Sequence, residues 1–568
     1  MDKKISLGND IFDQFMEDNG YYVDKTELIY ELAADNKSKV TLFTRPRRFG
    51  KSLIMSMLES FFDIRRSGSN IFNNLNIMKN HPDFCKEWMH QYPTILLSLK
   101  DVEGLNFEDA YAMFRSEISK LCSRNTSLEL EKALTQDDIS VFRKLRSKTA
   151  TIDEVKNSLQ TLMRMMHSVY GKQVILLIDE YDVPLAKAYE HGYYREMVDV
   201  IRGIMSISLK SNEYLKFAVV TGCLRISKES IFTGVNNFSC YSVMHEKYSQ
   251  YFGFTEDEVI QMLDTFGLAD KLSLVKKWYD GYLFGDTEIY CPWDVANYIS
   301  DAIYNKDANP KNYWENTSGN GAIKEFFKLD DEDISDKFEI LLNGGTIVEN
   351  VVDTLTYEEA YTSISNLWSV LLMTGYVTTV KREKEVSSEV AGISDIELRI
   401  PNREVAGIFQ KAVIDNFQKT VDQSRILKLM EALWSGDEDT ATNILSDLLF
   451  ETISYMDYHE NYYHAFMSGI FTGRGYMPKS NQENGLGRPD VCLRDRRNRR
   501  MLVMECKKAD SEEKLDYFCD QALEQIVSRK YTGNTNGYKT VLCYGIAFFE
   551  KSAKVKLLND TKQRYMQM

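Results

Sequence analysis

Proline, histidine and cysteine are scarce in this chain: its 568 residues include 9 Pro, 7 His and 9 Cys. So few prolines leave room for many uninterrupted helices. The cysteines (85, 122, 223, 240, 291, 492, 506, 519 and 543) are odd in number, scattered, and form neither a CxxC pair nor a Cys/His cluster. This excludes a disulfide framework and a zinc ribbon, and reads as reduced intracellular thiols. Positive charge is not in excess either, because 69 Lys and Arg face 84 Asp and Glu for a net of −15. No global field draws such a molecule onto nucleic acid or an anionic membrane, so any polyanion contact must be a local basic patch. Long apolar runs are absent as well. The longest, such as VLCYGIAFF at 541–549, fall short of the roughly 18–20 residues a membrane span needs. MDKKISLGNDIFDQF at the start has no apolar h-region, so neither a signal peptide nor a membrane partner is expected, and the reading is a cytoplasmic protein.

The chain has 43% hydrophobic and 12% aromatic residues, enough for real cores, and its length suggests two to four domains. KVTLF (39–43), TILLSL (94–99), VILLID (174–179) and KFAVVTG (216–222) are continuous apolar runs separated by helical patterns, as in a parallel sheet covered on both faces. Residues 1–245 are therefore read as a nucleotide-binding α/β core. Residues 246–345 turn helical with aromatic punctuation, which suits a lid. Within 346–449 a helix (SNLWSVLLMTG), two strands (VTTVKRE, DIELRIPN) and a helix (EVAGIFQKAVIDNF) suggest a winged-helix-like module. Residues 450–568 alternate strands and helices as a further α/β unit.

Two segments carry chemistry. RPRRFGKS (45–52) follows an apolar strand and precedes a helix, the context of a phosphate loop. Arg48, Phe49 and Gly50 would cradle phosphates through the backbone, Lys51 would reach the β/γ oxygens, and Ser52 would bind Mg²⁺. Arg45 stands where the usual GxxxxGK[ST] pattern begins with Gly. In VILLIDEYD, Asp179 and Glu180 end a buried strand, where one acid can hold Mg²⁺ and its neighbour can polarise an attacking water. Thr221 ends the next strand and is placed to sense a γ-phosphate. Arg225 follows closely enough to neutralise transition-state charge, in cis or from a neighbouring subunit.

YYVDKTELIYEL (21–32), TRPRRFGKSL (44–53), LLIDEYDVPL (176–185), TGCLRISKESIFTGVNNF (221–238), WYDGYLFG (278–285) and YWENTSGN (313–320) together resemble the bacterial AAA-ATPase-like proteins with a C-terminal PD-(D/E)xK nuclease-superfamily domain. The resemblance covers most of the chain, and RPRRFGKS is that family's own form of the loop. It implies ATP and Mg²⁺ as cofactors, a P-loop (AAA+-like) parallel sheet with a helical lid, and a restriction-endonuclease-like α/β domain at the end. Asp24 and Lys25 match its DKT stretch without an evident physical role.

The second constellation lies in GLGRPDVCLRDRRNRRMLVMECKK. Asp490 opens one strand, while Glu505 and Lys507 lie two apart on the next and so share a face. Two acids can hold Mg²⁺, which activates water, and the lysine can stabilise charge on a phosphodiester. The resemblance adds Glu460 as an accessory metal acid and Gln525 as a positioning amide. Residues 488–508 hold eight Arg or Lys (488, 494, 496, 497, 499, 500, 507, 508) against three acids, a local basic patch for phosphates or a solvated hairpin tip. Tyr462, Tyr463, Phe466 and His464 on the preceding helix read as core. The expected function is an ATPase coupled to Mg²⁺-dependent cleavage of nucleic acid, DNA by analogy, with room for a homo-oligomer. The alternative is a nucleotide-dependent switch whose nuclease-like domain binds nucleic acid without cutting it.

Overall fold

In the computed structural model the four apolar runs become strands β1 (Val40–Thr44), β2 (Thr94–Ser98), β3 (Val174–Asp179) and β4 (Leu215–Gly222), and a fifth, β5, spans Phe238–Tyr241. Every residue of β1 and β3 is buried, which is why these segments read as unbroken apolar runs rather than alternating ones. All five strands are parallel, in the order β2-β3-β4-β1-β5. β4 is thereby inserted between β1 and β3, with Thr44 beside Gly222 and Ile178 beside Val220. The carboxyl ends of β1, β3 and β4 open side by side, where open α/β sheets bind ligands.

The structure describes residues 3–34, 38–226, 231–232, 238–314, 323, 337–338, 340–342, 344–360, 363–381, 394–420, 423–452, 463, 466–467, 470–471, 490–495, 497–531 and 537–558. They group into two compact units, 1–322 with 348–405 and 323–347 with 406–568.

In the first unit the helix Lys51–Phe62 leaves the loop after β1. Gly50 precedes it at φ +82°, a left-handed conformation that favours glycine. Ile54, Met55, Leu58, Phe61 and Phe62 bury its apolar face. The helical region past residue 246 contains helices Glu256–Thr265, Leu272–Tyr279 and Pro292–Tyr304, and the antiparallel pair β6 (Tyr282–Phe284) and β7 (Thr287–Ile289). Its small core joins Val259, Leu263, Val275, Tyr279, Val295 and Tyr298. A capping box starts the first of these helices, with Thr255 and Glu258 each satisfying the other's backbone N–H. Further on, β8 (Ile347–Val351), β9 (Thr378–Thr379) and β10 (Ser394–Arg399) form a sheet in the order β8-β10-β9. Helices Ile364–Thr374 and Arg403–Thr420 flank the last two strands, the helix, strand pair, helix succession expected from the sequence.

The second unit contains β11 (Val491–Asp495), β12 (Arg500–Lys508), β13 (Thr540–Phe549) and β14 (Ser552–Leu557), in chain order across the sheet. β11 and β12 are antiparallel, while β12 and β13 are parallel and joined through the helix Leu515–Ser528. The two faces of β12 go to different cores. Leu502, Met504 and Cys506 pack with Leu433, Leu445 and Tyr463, whereas Met501 and Val503 pack with Leu523, Ile526 and Tyr531. Strand alternation therefore carries Glu505 and Lys507 on the face of the Leu515–Ser528 helix. Gly545, opposite Glu505 on β13, lets that helix approach closely: a Cβ there would lie 2.3 Å from the Cys519 carbonyl oxygen. Together the parallel sheet, the helical middle and the mixed C-terminal sheet make an α/β multidomain protein.

Candidate functional site

Five residues, Ser52, Lys51, Asp179, Glu180 and Thr221, meet at the ends of β1, β3 and β4. The Ser52 hydroxyl donates to Asp179 Oδ2 at 2.7 Å, and the Thr221 hydroxyl donates to Asp179 Oδ1 at 2.6 Å. Burial and the neighbouring Glu180 push the Asp179 carboxyl up, against the pull of these two hydroxyls and Lys51. The Lys51 ammonium is buried, donates to the carbonyls of Arg45 and Pro46 at 3.0 Å each, and pairs with Glu180 Oε1 at 3.1 Å. Burial alone would lower this lysine, yet Cys223, Glu180 and Asp182 hold it above its ordinary value, so it stays charged. Glu180 itself adopts φ +53°, unusual for a non-glycine residue and of the kind found at functional sites.

Arg45 explains the missing first glycine. It is fully buried, donates from Nη1 to the Thr44 and Tyr241 carbonyls at 2.9 and 2.7 Å, and lies over the Phe252 and Phe284 rings at 5.1 and 5.3 Å. Burial brings its pKa down to about 9. It ties β1 to β5 and to the aromatic cluster beyond residue 246, a packing task that glycine could not perform.

The loop borders a cavity of about 640 Å³. Its wall includes the apolar and aromatic side chains Tyr21, Val23, Phe254, Met262 and Trp293 as well as Arg47, Gly50, Lys51, Ser52 and Glu180. Arg48 stacks on Trp293 at 4.2 Å, and the Phe49 ring packs against Tyr282 and Phe284, leaving the backbone as its route to a ligand. Arg225 is directed elsewhere: its Nη1 lies 3.5 Å from Asp353 Oδ2, and it is not part of the cavity wall. Three residues that sequence reasoning passed over belong here. Arg47 lines the cavity, Ser98 donates to Asp179 at 3.4 Å, and Asp182 accepts the Cys223 and Leu224 amides at 2.9 Å each. The acid-rich IDEYD segment was the available signal for Asp182. Asp24 and Lys25 now have a role. Asp24 accepts from the Thr26 and Asn76 amides, and the buried Lys25 ammonium pairs with Glu258 at 2.6 Å, tying the N-terminal segment to the first helix beyond residue 246.

Beneath the cavity Asp294 and Glu404 form a buried carboxyl pair. Glu404 accepts the Trp314 amide at 2.7 Å, while the Trp314 indole donates to the Arg47 carbonyl at 3.4 Å. Burial and Asp294 push the Glu404 carboxyl far above the usual carboxylate range. Folding thus retains a proton that an unfolded glutamate gives up above about pH 4.3. The stability this contributes is complete in acid and is lost as pH rises toward the raised folded value. Glu404→Gln, which carries its hydrogens permanently, is expected to lose less thermal stability than the wild type between about pH 6 and 9. Melting curves across that range check it.

In the second unit Asp490, Glu505 and Lys507 come together. Asp490 Oδ2 accepts the Cys506 amide at 2.8 Å, the Asp490 amide lies 3.4 Å from Glu505 Oε2, and Lys507 Nζ is 3.8 Å from Glu505 Oε1. The Gln525 amide donates to Glu505 Oε1 and also contacts the Tyr531 hydroxyl at 3.3 Å. Glu505 is only 2% exposed. Two hard carboxylates in one place fit a divalent cation such as Mg²⁺. Among the described residues no cluster of three or more His, Cys, Asp or Glu side chains accompanies them. Glu460, Tyr462 and His464 lie outside the described residues, as do Arg488 and Arg496 of the basic patch. Tyr463 is core, stacked on Phe548 at 4.4 Å, and Phe466 is buried beside it. Part of the patch is structural. Arg500 pairs with Asp495 at 2.8 Å and stacks on Trp434, and Asp495, whose burial would raise it, is held down to about 2 by Asn498 and Arg500.

A parallel sheet with a phosphate loop at its carboxyl edge, and a mixed sheet with an acid, acid, lysine cluster, define a nucleotide-binding domain followed by a nuclease-like one. Residues 6–232 match the family described as "Predicted AAA-ATPase", and residues 458–557 match the "PD-(D/E)XK nuclease superfamily". The chain thus joins an AAA-ATPase-like domain to a PD-(D/E)XK nuclease-superfamily domain. It is also 29% identical, over 295 residues, to an uncharacterised protein in the vnfD 5′ region of Azotobacter chroococcum mcd 1. The match covers 52% of this chain and 51% of that protein, so the chain spans about half the length of the curated relative it matches. Among the described residues no helix is long and apolar enough to cross a membrane.

Proposed function

We propose that this protein is a cytoplasmic ATPase coupled to Mg²⁺-dependent phosphodiester cleavage of nucleic acid, with DNA as the substrate. The observation that carries the reading is the convergence of Asp490, Glu505 and Lys507 at one point of the C-terminal sheet. In the first unit Lys51 would exchange its pairing with Glu180 for the β- and γ-phosphates, which frees Glu180 to accept a proton from the attacking water. Thr221, which donates to Asp179, would hold that carboxylate in orientation. Ser52 and Asp179 would hold one Mg²⁺, and Asp490 and Glu505 another, each supplying Lewis-acid stabilisation of phosphate charge. Lys507 would neutralise the charge that grows on the scissile phosphate, and Gln525 fixes the Glu505 carboxylate by donating to it.

The test is a cleavage assay titrated with Mg²⁺ on duplex and single-stranded DNA and on RNA, using wild type, Glu505→Ala and Lys51→Ala. Cleavage abolished by the first substitution and altered in its ATP dependence by the second is the expected result. A wild type that binds ATP but cuts none of these substrates would overturn it in favour of a nucleotide-dependent switch.

A further inference from the structure

An ATPase of this design needs a guanidinium at the γ-phosphate to offset charge in the transition state. Arg225, the candidate from sequence, is engaged with Asp353. The other cations near the loop are also committed. Arg45 is locked between β1, β5 and two rings, Arg48 lies on Trp293, Lys100 pairs with Asp10, and Lys187 pairs with Glu190. Arg47 differs from all of them. It is half-buried in the cavity wall beside Lys51 and Glu180, and its guanidinium donates no hydrogen bond among the described residues.

Its place in the loop is equally specific. The Arg45 and Pro46 carbonyls each lie 3.0 Å from Lys51 Nζ, the atom that reaches the terminal phosphates, and Arg47 is the next residue along. The Trp314 indole anchors its carbonyl. Cys223 and Tyr357, and then Asp182 and Glu180 at the β3 end, act on this guanidinium and hold it charged against the cost of burial. Arg48 stacks on the Trp293 ring, whereas Arg47 shares the cavity wall with Lys51 and Glu180.

We propose that Arg47 is the transition-state arginine of this site, supplied in cis by the phosphate loop itself. The assignment rests on the ATPase reading above and adds the group that completes it. Water attacks the γ-phosphorus and gives its proton to Glu180. The bond from that phosphorus to the β,γ-bridging oxygen breaks, and the electron pair leaves with ADP. The Arg47 guanidinium, with planar paired donors, binds the equatorial and bridging oxygens where negative charge accumulates. A lysine at this position would keep the charge but lose the paired geometry.

The experiment compares wild type, Arg47→Ala, Arg47→Lys and Arg225→Ala for binding of a fluorescent ATP analogue, steady-state turnover, and trapping of ADP with aluminium fluoride and Mg²⁺. The expected result for Arg47→Ala is analogue affinity within about threefold of wild type, turnover reduced about 1,000-fold or more, and no trapping of the transition-state mimic. Arg47→Lys is expected to bind the analogue equally and to trap poorly. Mixing Arg47→Ala with Lys51→Ala is expected to restore nothing, because the arginine acts within its own chain. The assignment falls if Arg47→Ala and Arg47→Lys turn over ATP and trap the mimic as the wild type does, if Arg225→Ala is the variant that fails to trap, or if the mixture recovers activity. A wild type that neither binds nor hydrolyses ATP overturns the ATPase reading, and this assignment with it.

Discussion

Glu180→Gln is expected to bind ATP and hydrolyse it about 100- to 10,000-fold more slowly than the wild type. The carboxylate lines the cavity in an ion pair with Lys51, and it sits at the mouth of β3 with its backbone at φ +53°. Glutamine has the same shape but cannot take a proton from water. It also removes a negative charge 3.1 Å from the Lys51 ammonium, leaving that cation to phosphate alone, so affinity for ATP should hold or rise. Phosphate release and equilibrium binding of an ATP analogue, measured on the same preparation, separate the two effects. A variant that hydrolyses ATP at the wild-type rate would remove Glu180 from the chemistry. Asp179 would not behave the same way. Its hydroxyl partners Ser52, Thr221 and Ser98 depend on it, so its loss should disturb binding as well as turnover.

The sequence revealed what local physics encodes. Strands β1 to β4 were visible because a strand buried on both faces must be apolar almost throughout, and VILLI runs unbroken up to the Asp179 that closes β3. β5 was not visible, since FSCY is only partly buried and mixes polar with apolar positions. Strand order left no trace either. Nothing in KFAVVTG says that it pairs between the loop strand and the acid strand, yet that insertion alone brings Thr221 to Asp179. The two arginines show the same limit. Arg225 was singled out for following a strand end, but a partner 128 residues away in sequence claims it. Arg47 looked like one more basic residue in RPRRFGKS, because the features that distinguish it, its cavity wall and its acidic neighbours, come from distant segments. At the other end of the chain the i, i+2 spacing of Glu505 and Lys507 did predict their shared face, since strand alternation is local. Tyr531 entered the site through the turn after its helix, a contact without a spacing rule.

Glu505→Gln should abolish cleavage, by about 1,000-fold or more, and should also change how the protein melts. On the proposed reading Asp490 and the almost wholly buried Glu505 share one Mg²⁺, and before it binds Lys507, 3.8 Å from Glu505, offsets only part of the cost of two carboxylates in one place. The wild type is therefore expected to gain thermal stability as Mg²⁺ is added, by the ordinary linkage between ligand binding and folding. Glutamine at 505 removes one of the two negative charges and, on that reading, one metal ligand at once. Without metal its melting temperature should equal or exceed that of the wild type, and its response to Mg²⁺ should be flat. Asp490→Asn should follow the same pattern, although it also weakens the bond to the Cys506 amide that fixes the opening of β11. Lys507→Ala gives the contrast, because it removes the charge that the proposed function assigns to the scissile phosphate but leaves both acids. It should lose cleavage while keeping the Mg²⁺-dependent rise in melting temperature. If the wild type shows no stabilisation by Mg²⁺ and Glu505→Gln melts lower without it, the two carboxylates are structural partners of the Gln525 and Cys506 amides rather than a metal site, and the cutting role has no seat in this domain.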